Sequence, residues 1–166
     1  LLPSSSSAQL RLVRHLGSSV RPSSGRLHTV RCGFAKDTLG GPSTALDQDN
    51  YGDDACFVAE HRSADVVGVA DGVGGWREYG VDPAACARGL MRACRDLVRR
   101  GEFRTSEPSG LLGAAYQSLR VASHRQEPSP SQAPIGSSTA CVVVLDRAKS
   151  TLYTANLGDS GFLVLR

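Results

Sequence analysis

Val66-Val67-Gly68-Val69-Ala70-Asp71-Gly72-Val73-Gly74-Gly75-Trp76 is an apolar run that ends on an aspartate and continues into a glycine-rich turn. Residues 66–70 are few, mostly β-branched and uncharged, the signature of a buried strand. Asp71 stands where that strand stops. A carboxylate there is held by the sheet yet faces its edge, a position suited to a metal ligand. The glycines after it let the backbone approach whatever the carboxylate holds. Asp-Gly is also an ordinary turn dipeptide, so the chemistry depends on what the rest of the chain brings to this point.

Upstream, Gly52-Asp53-Asp54-Ala55-Cys56-Phe57-Val58-Ala59 places two adjacent carboxylates before a second strand-like run. Asp65 and its neighbours are expected to turn the chain into the strand that ends at Asp71. In an antiparallel hairpin, the start of one strand and the end of the next fall at the same end. Asp53, Asp54 and Asp71 are therefore expected close together. Acidic groups packed without cations repel one another. A shared hard cation relieves that repulsion, and oxygen-only ligands suit Mg²⁺ or Mn²⁺. The competing reading of Asp53 and Asp54 is a solvated turn.

Beyond this hairpin, Asp82 is a plausible N-cap and Pro83 opens a helix. Ala87, Leu90, Met91, Cys94, Leu97 and Val98 form its apolar face, and Gly101 ends it. Arg88, Arg92, Arg95 and Arg99 lie mostly outside that face and read as solvated. A second helix is expected from Pro108 to about Ser123, and a proline-containing loop over residues 124–134. Strands are expected over residues 137–146 and 151–156, with a further strand starting at Gly161. Strands, two helices and strands again predict sheet packed against helices.

The 166 residues suit one domain or part of one. They hold 19 Lys and Arg against 16 Asp and Glu, for a net charge of +3. The distribution says more than the sum. No acidic residue precedes Asp37, whereas that opening segment carries Arg11, Arg14, Arg21, Arg26, Arg31 and Lys36. The remainder is slightly acidic, which argues against a nucleic-acid binder. An Arg- and Ser-rich, acid-free N-terminus has the composition of an organellar leader. Residues 1–30 are read as a disordered mitochondrial transit peptide, with a short basic amphipathic helix around residues 10–16, and matrix location follows as the expectation. The five cysteines, with no C-x-x-C pair, point to free thiols in a reducing compartment, not to a disulfide framework or zinc site. No apolar run approaches membrane-spanning length.

Other motifs fall away. Gly158-Asp159-Ser160-Gly161 is like the nucleophile stretch of trypsin-like proteases, but Phe162 stands where they have a further glycine, and neither His61 nor His124 lies in a matching partner motif. Gly136-Ser137-Ser138-Thr139 lacks the Gly-Lys-Ser/Thr of a phosphate loop. The spacing of Gly72, Gly74 and Gly75 does not fit a dinucleotide-binding turn.

Taken in order, Gly52-Asp53-Asp54-Ala55, Asp71-Gly72-Val73-Gly74-Gly75, Gly136-Ser137-Ser138-Thr139-Ala140 and Asn156-Leu157-Gly158-Asp159-Ser160 resemble the type 2C metal-dependent protein serine/threonine phosphatases (the PPM family). Tyr51 to Val58, Ser63 to Trp76 and Thr154 to Val164 are most similar to a mitochondrial branch with plant and fungal relatives. The resemblance covers residues 31–166 and implies the N-terminal part of such a domain. The implied fold is α+β, a four-layer αββα β-sandwich flanked by helices and incomplete at the C-terminus. It implies that Asp71 bridges two Mg²⁺ or Mn²⁺ ions, that the Gly72 carbonyl and Asp53 reach the second ion, and that Asp54 orients metal-bound water. Asp54 and Asp71 are thus the implied catalytic residues, acting through a bridging hydroxide on phosphoserine or phosphothreonine proteins. The Gly158-Asp159-Ser160 turn is implied to be structural.

Two positions depart from the family pattern. Asp49 stands where many members have a phosphate-gripping arginine, and Val73 where animal enzymes often have histidine. Phosphate recognition and leaving-group protonation are therefore unassigned, with Arg77 and Lys36 as candidate substitutes. The family completes its site with further aspartates in a C-terminal half, so the expectation is an N-terminal fragment, inactive alone. The alternative is a truncated isoform or pseudophosphatase acting as a binding module.

Overall fold

The computed structural model describes residues 9–13, 25–33, 51–125 and 136–165. Lys36, Asp49 and residues 126–134 of the loop expected over 124–134 lie outside them, while residues 124 and 125 belong to a helix. Strand β1 (Gln9–Val13) pairs antiparallel with β2 (His28–Cys32). The helix expected around residues 10–16 is therefore corrected to a strand over residues 10–13, and residues 14–16 lie outside the described residues. Leu10 and Leu12 alternate with Gln9 and Arg11, a period of two that competes with helical spacing once a partner strand is present.

β3 (Ala55–His61), β4 (Ala64–Ala70), β5 (Ala140–Asp146) and β6 (Thr151–Leu157) form one antiparallel sheet in that order. A 3₁₀ helix spans Gly74–Tyr79. Helices α1 (Pro83–Arg100) and α2 (Pro108–Arg125) follow it, α1 packing on β3 and β4 and α2 on β5 and β6. Asp82 accepts the Ala84 N–H at 3.0 Å and Pro83 occupies the first turn, while Gly101 closes α1 with a φ of 74°. The N-cap and C-cap expected from the sequence are both in place.

Between the layers, Phe57, Val66, Val142 and Val144 meet Ala87, Met91, Cys94 and Val98 of α1 and Leu111 and Ala115 of α2. Gly68 sits opposite Phe57 in the ladder. A Cβ there would lie 2.5 Å from the Phe57 ring, so the ring occupies the space a side chain would take. The far face of the central strands is apolar as well: Val67, Cys141 and Val143 are buried. This is why β4 and β5 read as continuous apolar runs and not as alternating ones.

Two expectations need correction. Asp65 is inside β4, not in the turn, which falls at Arg62 and Ser63. Its buried carboxylate is tolerated because buried Arg147 pairs with it at 3.0 Å and the Leu27 N–H donates to it at 2.9 Å. Residues 161–165 form no strand. Among the described residues nothing pairs with them, and Leu163 and Leu165 are more than three-quarters exposed. Among the described residues, the four-stranded sheet is layered with two helices, and β1 and β2 form a separate two-stranded sheet. This arrangement agrees with α+β, and the second half of the expected four-layer sandwich is not among the described residues.

Candidate functional site

The β3–β4 register sets Ala55 opposite Ala70. This brings the residues before β3 and after β4 to one end of the sheet, as the hairpin argument expects. The Gly72 N–H donates to the Asp53 carbonyl at 3.2 Å. Asp53 and Asp54 are not a solvated turn: they are 7% and 3% exposed. Asp71 is half-buried at the same end.

Residues just before β5 form a collar around Asp71. The β4–β5 ladder pairs Val69 with Cys141, so the hydroxyl residues just before β5 fall beside Asp71. Its backbone N–H donates to Thr139 Oγ1 at 3.0 Å, and its carbonyl accepts the Thr139 N–H at 2.9 Å and Ser138 Oγ at 2.9 Å. Thr139 Oγ1 shares a 2.6 Å hydrogen bond with Ser160 Oγ. The Val73 N–H reaches the Ser137 carbonyl at 3.1 Å, and Trp76 Nε1 donates to Ser137 Oγ at 2.8 Å. The Gly136–Thr139 and Gly158–Ser160 motifs therefore act by fixing the backbone of Asp71. Residue-level reasoning missed this role for Ser137, Ser138, Thr139 and Ser160. The signal was the run of hydroxyls at the start of β5.

Arg77, on the 3₁₀ helix, forms an ion pair with Asp53 Oδ1; its side chain is 56% exposed against 9% for the aspartate. A guanidinium thus already neutralises one buried carboxylate from the solvent side. Gly72 packs so closely that a Cβ would lie 2.2 Å from the Pro83 carbonyl oxygen and 2.4 Å from that of Asp53. The second glycine position of the stretch, Gly74, is open by comparison, its nearest neighbour being Arg77 Nη1 at 3.4 Å.

Among the described residues, no three His, Cys, Asp or Glu side chains converge in a metal-holding group. Asp53, Asp54 and Asp71 share one end of the sheet without closing on a common point. The donors are carboxylates and backbone carbonyls, all hard oxygens, which suits Mg²⁺ or Mn²⁺ over thiophilic metals. The fit is that of a partial shell. A cleft of about 400 Å³, lined by residues including Glu102, Phe103 and Glu107, lies elsewhere, at the α1–α2 connection. It adjoins the far end of β3, where His61 and Phe103 meet edge to face at 6.1 Å.

Three relatives place the chain. A protein phosphatase PTC7 homologue of Xenopus laevis is 54% identical over 142 residues, covering 84% of this chain and 44% of that protein. The Homo sapiens homologue is 56% identical over 141 residues, covering 84% of this chain and 43% of its own length. That of Danio rerio is 60% identical over 117 residues, 70% of this chain and 36% of the relative. The chain thus spans less than half the length of these relatives. No family profile and no solved structure matches it. Over the stretch it shares with these relatives, the chain belongs to the type 2C (PPM) protein phosphatase family, in the branch of the PTC7 homologues.

Proposed function

We propose that this chain carries half of the active centre of a protein serine/threonine phosphatase dependent on Mg²⁺ or Mn²⁺, acting on phosphoserine and phosphothreonine proteins of the mitochondrial matrix. The observation that carries the reading is that buried Asp53 and Asp54 lie with Asp71 at one end of the sheet. The phosphatase names of the relatives support it. The second layer of an αββα sandwich fits the apolar far face of β4 and β5. The acid-free, Arg-rich leader supports the location. Among the described residues, no helix is long and apolar enough to cross a membrane.

Two bound divalent cations would supply an activated water and neutralise charge on the phosphoryl oxygens. Asp71, Asp53 and the Gly72 carbonyl would hold them. Asp54, one residue from Asp53 and almost wholly buried, would orient the attacking water. The collar of Ser138 and Thr139 keeps the Asp71 backbone from yielding, so its carboxylate is presented in one position. Arg77 neutralises Asp53 and is exposed enough to turn toward a phosphate, the part left open by Asp49. No side-chain nucleophile is needed for an in-line attack by water.

Two ions near octahedral geometry need more oxygens than these residues offer. The 166-residue chain alone is therefore proposed to be inactive, with further carboxylates completing the shell in the longer protein. The test uses the full-length protein stripped of metal by chelation. Hydrolysis of a phosphothreonine peptide should be absent and should return on adding Mn²⁺ or Mg²⁺. Equal turnover in the stripped and reloaded protein would sink the reading.

A further inference from the structure

We propose that Arg88, Arg92, Arg95 and Arg99 of α1 form a docking track for an extended acidic peptide, which is the acidic flank of a phosphoprotein substrate if the phosphatase reading holds. The spacing of four, three and four residues puts all four on one side of the helix. Arg88, Arg92 and Arg99 are exposed and Arg95 is half-buried. The apolar residues Leu90, Met91, Leu97 and Val98 are buried on other sides of the helix. Arg88 pairs with Asp82 and Arg95 with Asp96. These are exposed contacts of the kind that contribute little and exchange readily. Arg92 and Arg99 have no ion pair among the described residues.

The charge is local. α1 holds five arginines against one aspartate. Removing these from the chain's 19 basic and 16 acidic residues leaves 14 against 15. From residue 37 onward the positive charge is thus concentrated on this helix, the other concentration of cations being the acid-free segment before Asp37. The stripe runs about 16 Å along the axis at 1.5 Å per residue. An extended peptide repeats its side-chain face about every 6.6 Å, close to the roughly 4.5–6 Å steps between successive arginines. Acidic residues at alternate positions therefore meet successive guanidinium groups.

Position favours a substrate flank. Pro83, at the head of α1, packs against Gly72 beside Asp71. Arg88 follows within two turns, so a peptide on the stripe leads toward the candidate centre. Nucleic acid is disfavoured because the stripe holds no aromatic side chain and, from residue 37 onward, the chain outside α1 is acidic, with 8 Lys and Arg against 15 Asp and Glu. A membrane surface is disfavoured because no apolar side chain projects from the stripe.

The experiment measures fluorescence anisotropy of a labelled (Glu-Ala)₅ peptide with the intact chain at low salt. The expected result is saturable binding that weakens about five- to thirtyfold in the Arg92→Gln/Arg99→Gln double variant. It should stay unchanged in Arg120→Gln, an exposed arginine on α2, and be absent for a (Gln-Ala)₅ peptide. Equal binding in the double variant would overturn the proposal, as would tighter binding to an RNA oligonucleotide or to vesicles rich in anionic phospholipid. In the full-length protein, the double variant should lower kcat/KM for a phosphopeptide with an acidic flank and leave a neutral one unchanged. Peptide binding without any metal-dependent turnover would remove the phosphatase reading while leaving the docking track standing.

Discussion

Gly72→Ala probes the packing that joins the two carboxylate segments. The added methyl would lie 2.2 Å from the Pro83 oxygen and 2.4 Å from the Asp53 oxygen. Both obstacles are backbone, so no side chain can rotate away, and each must retreat by roughly 1 Å to reach ordinary contact. Overpacking of this kind costs about 1–3 kcal/mol. Weakening the 3.2 Å hydrogen bond from the Gly72 N–H to the Asp53 carbonyl adds about 1 kcal/mol. Loss of glycine's freedom in the unfolded chain offsets about 0.4–1 kcal/mol. The net is a destabilisation of about 2 kcal/mol, or a Tm lower by about 4–8 °C for a chain of this size. Gly113→Ala is the control. Nothing lies within 4 Å of a Cβ at that α2 position, so helix propensity should raise stability by about 0.5–1 kcal/mol. Urea unfolding followed by circular dichroism reads both. Matching stabilities for the two variants would refute the close approach at Gly72.

Asp82→Ala removes the α1 N-cap and should cost about 1 kcal/mol in the same assay. The Arg88 guanidinium, followed by the Ala84 N–H, holds the Asp82 carboxyl below its ordinary range. Its contribution is therefore present at neutral pH and fades as pH falls through that lowered value; a flat difference between parent and variant down to the acid limit would count against this cap. Burial pushes the Cys94 thiol from the ordinary 9.0 up to about 12 and raises Cys86 and Cys141 too. A raised folded pKa means stability is full below pH 9 and is lost as pH rises toward 12. In native chain at pH 8, a disulfide reagent should label exposed Cys32 first and half-buried Cys56 more slowly, with the three buried thiols reacting only on unfolding. An Asp53→Ala/Arg77→Ala double-mutant cycle should give a coupling of about 0.5–3 kcal/mol, and additive effects would show that the ion pair contributes nothing.

Much of the fold could be read from the chain because local signals agreed with tertiary ones. Asp82, Pro83 and Gly101 mark both ends of α1, and the apolar face of that helix meets the sheet as its period predicts. The hairpin argument placed Asp53 and Asp54 with Asp71 because antiparallel register is set by the turn between β3 and β4. What failed had non-local causes. Asp65 looked like a turn residue because its partner, Arg147, is 82 positions away. The collar on Asp71 depends on the β4–β5 pairing across two intervening helices, which no local pattern encodes. Residues 161–165 have strand-like composition, but a strand requires a partner to complete its hydrogen bonds. Residues 10–13 carried both helical and alternating patterns, and pairing of Gln9–Val13 with β2 decided between them.

The central claim is that Asp71 serves a metal-dependent phosphate-hydrolysing centre. Its most direct test is phosphate release from a phosphoserine peptide by the full-length protein across a Mn²⁺ titration, with Asp71→Asn beside parent and Glu107→Gln as a surface control. The account predicts Mn²⁺-dependent turnover in parent and Glu107→Gln, and none in Asp71→Asn at any Mn²⁺ concentration although that variant melts as a folded protein. Turnover at parental rate in folded Asp71→Asn would contradict it.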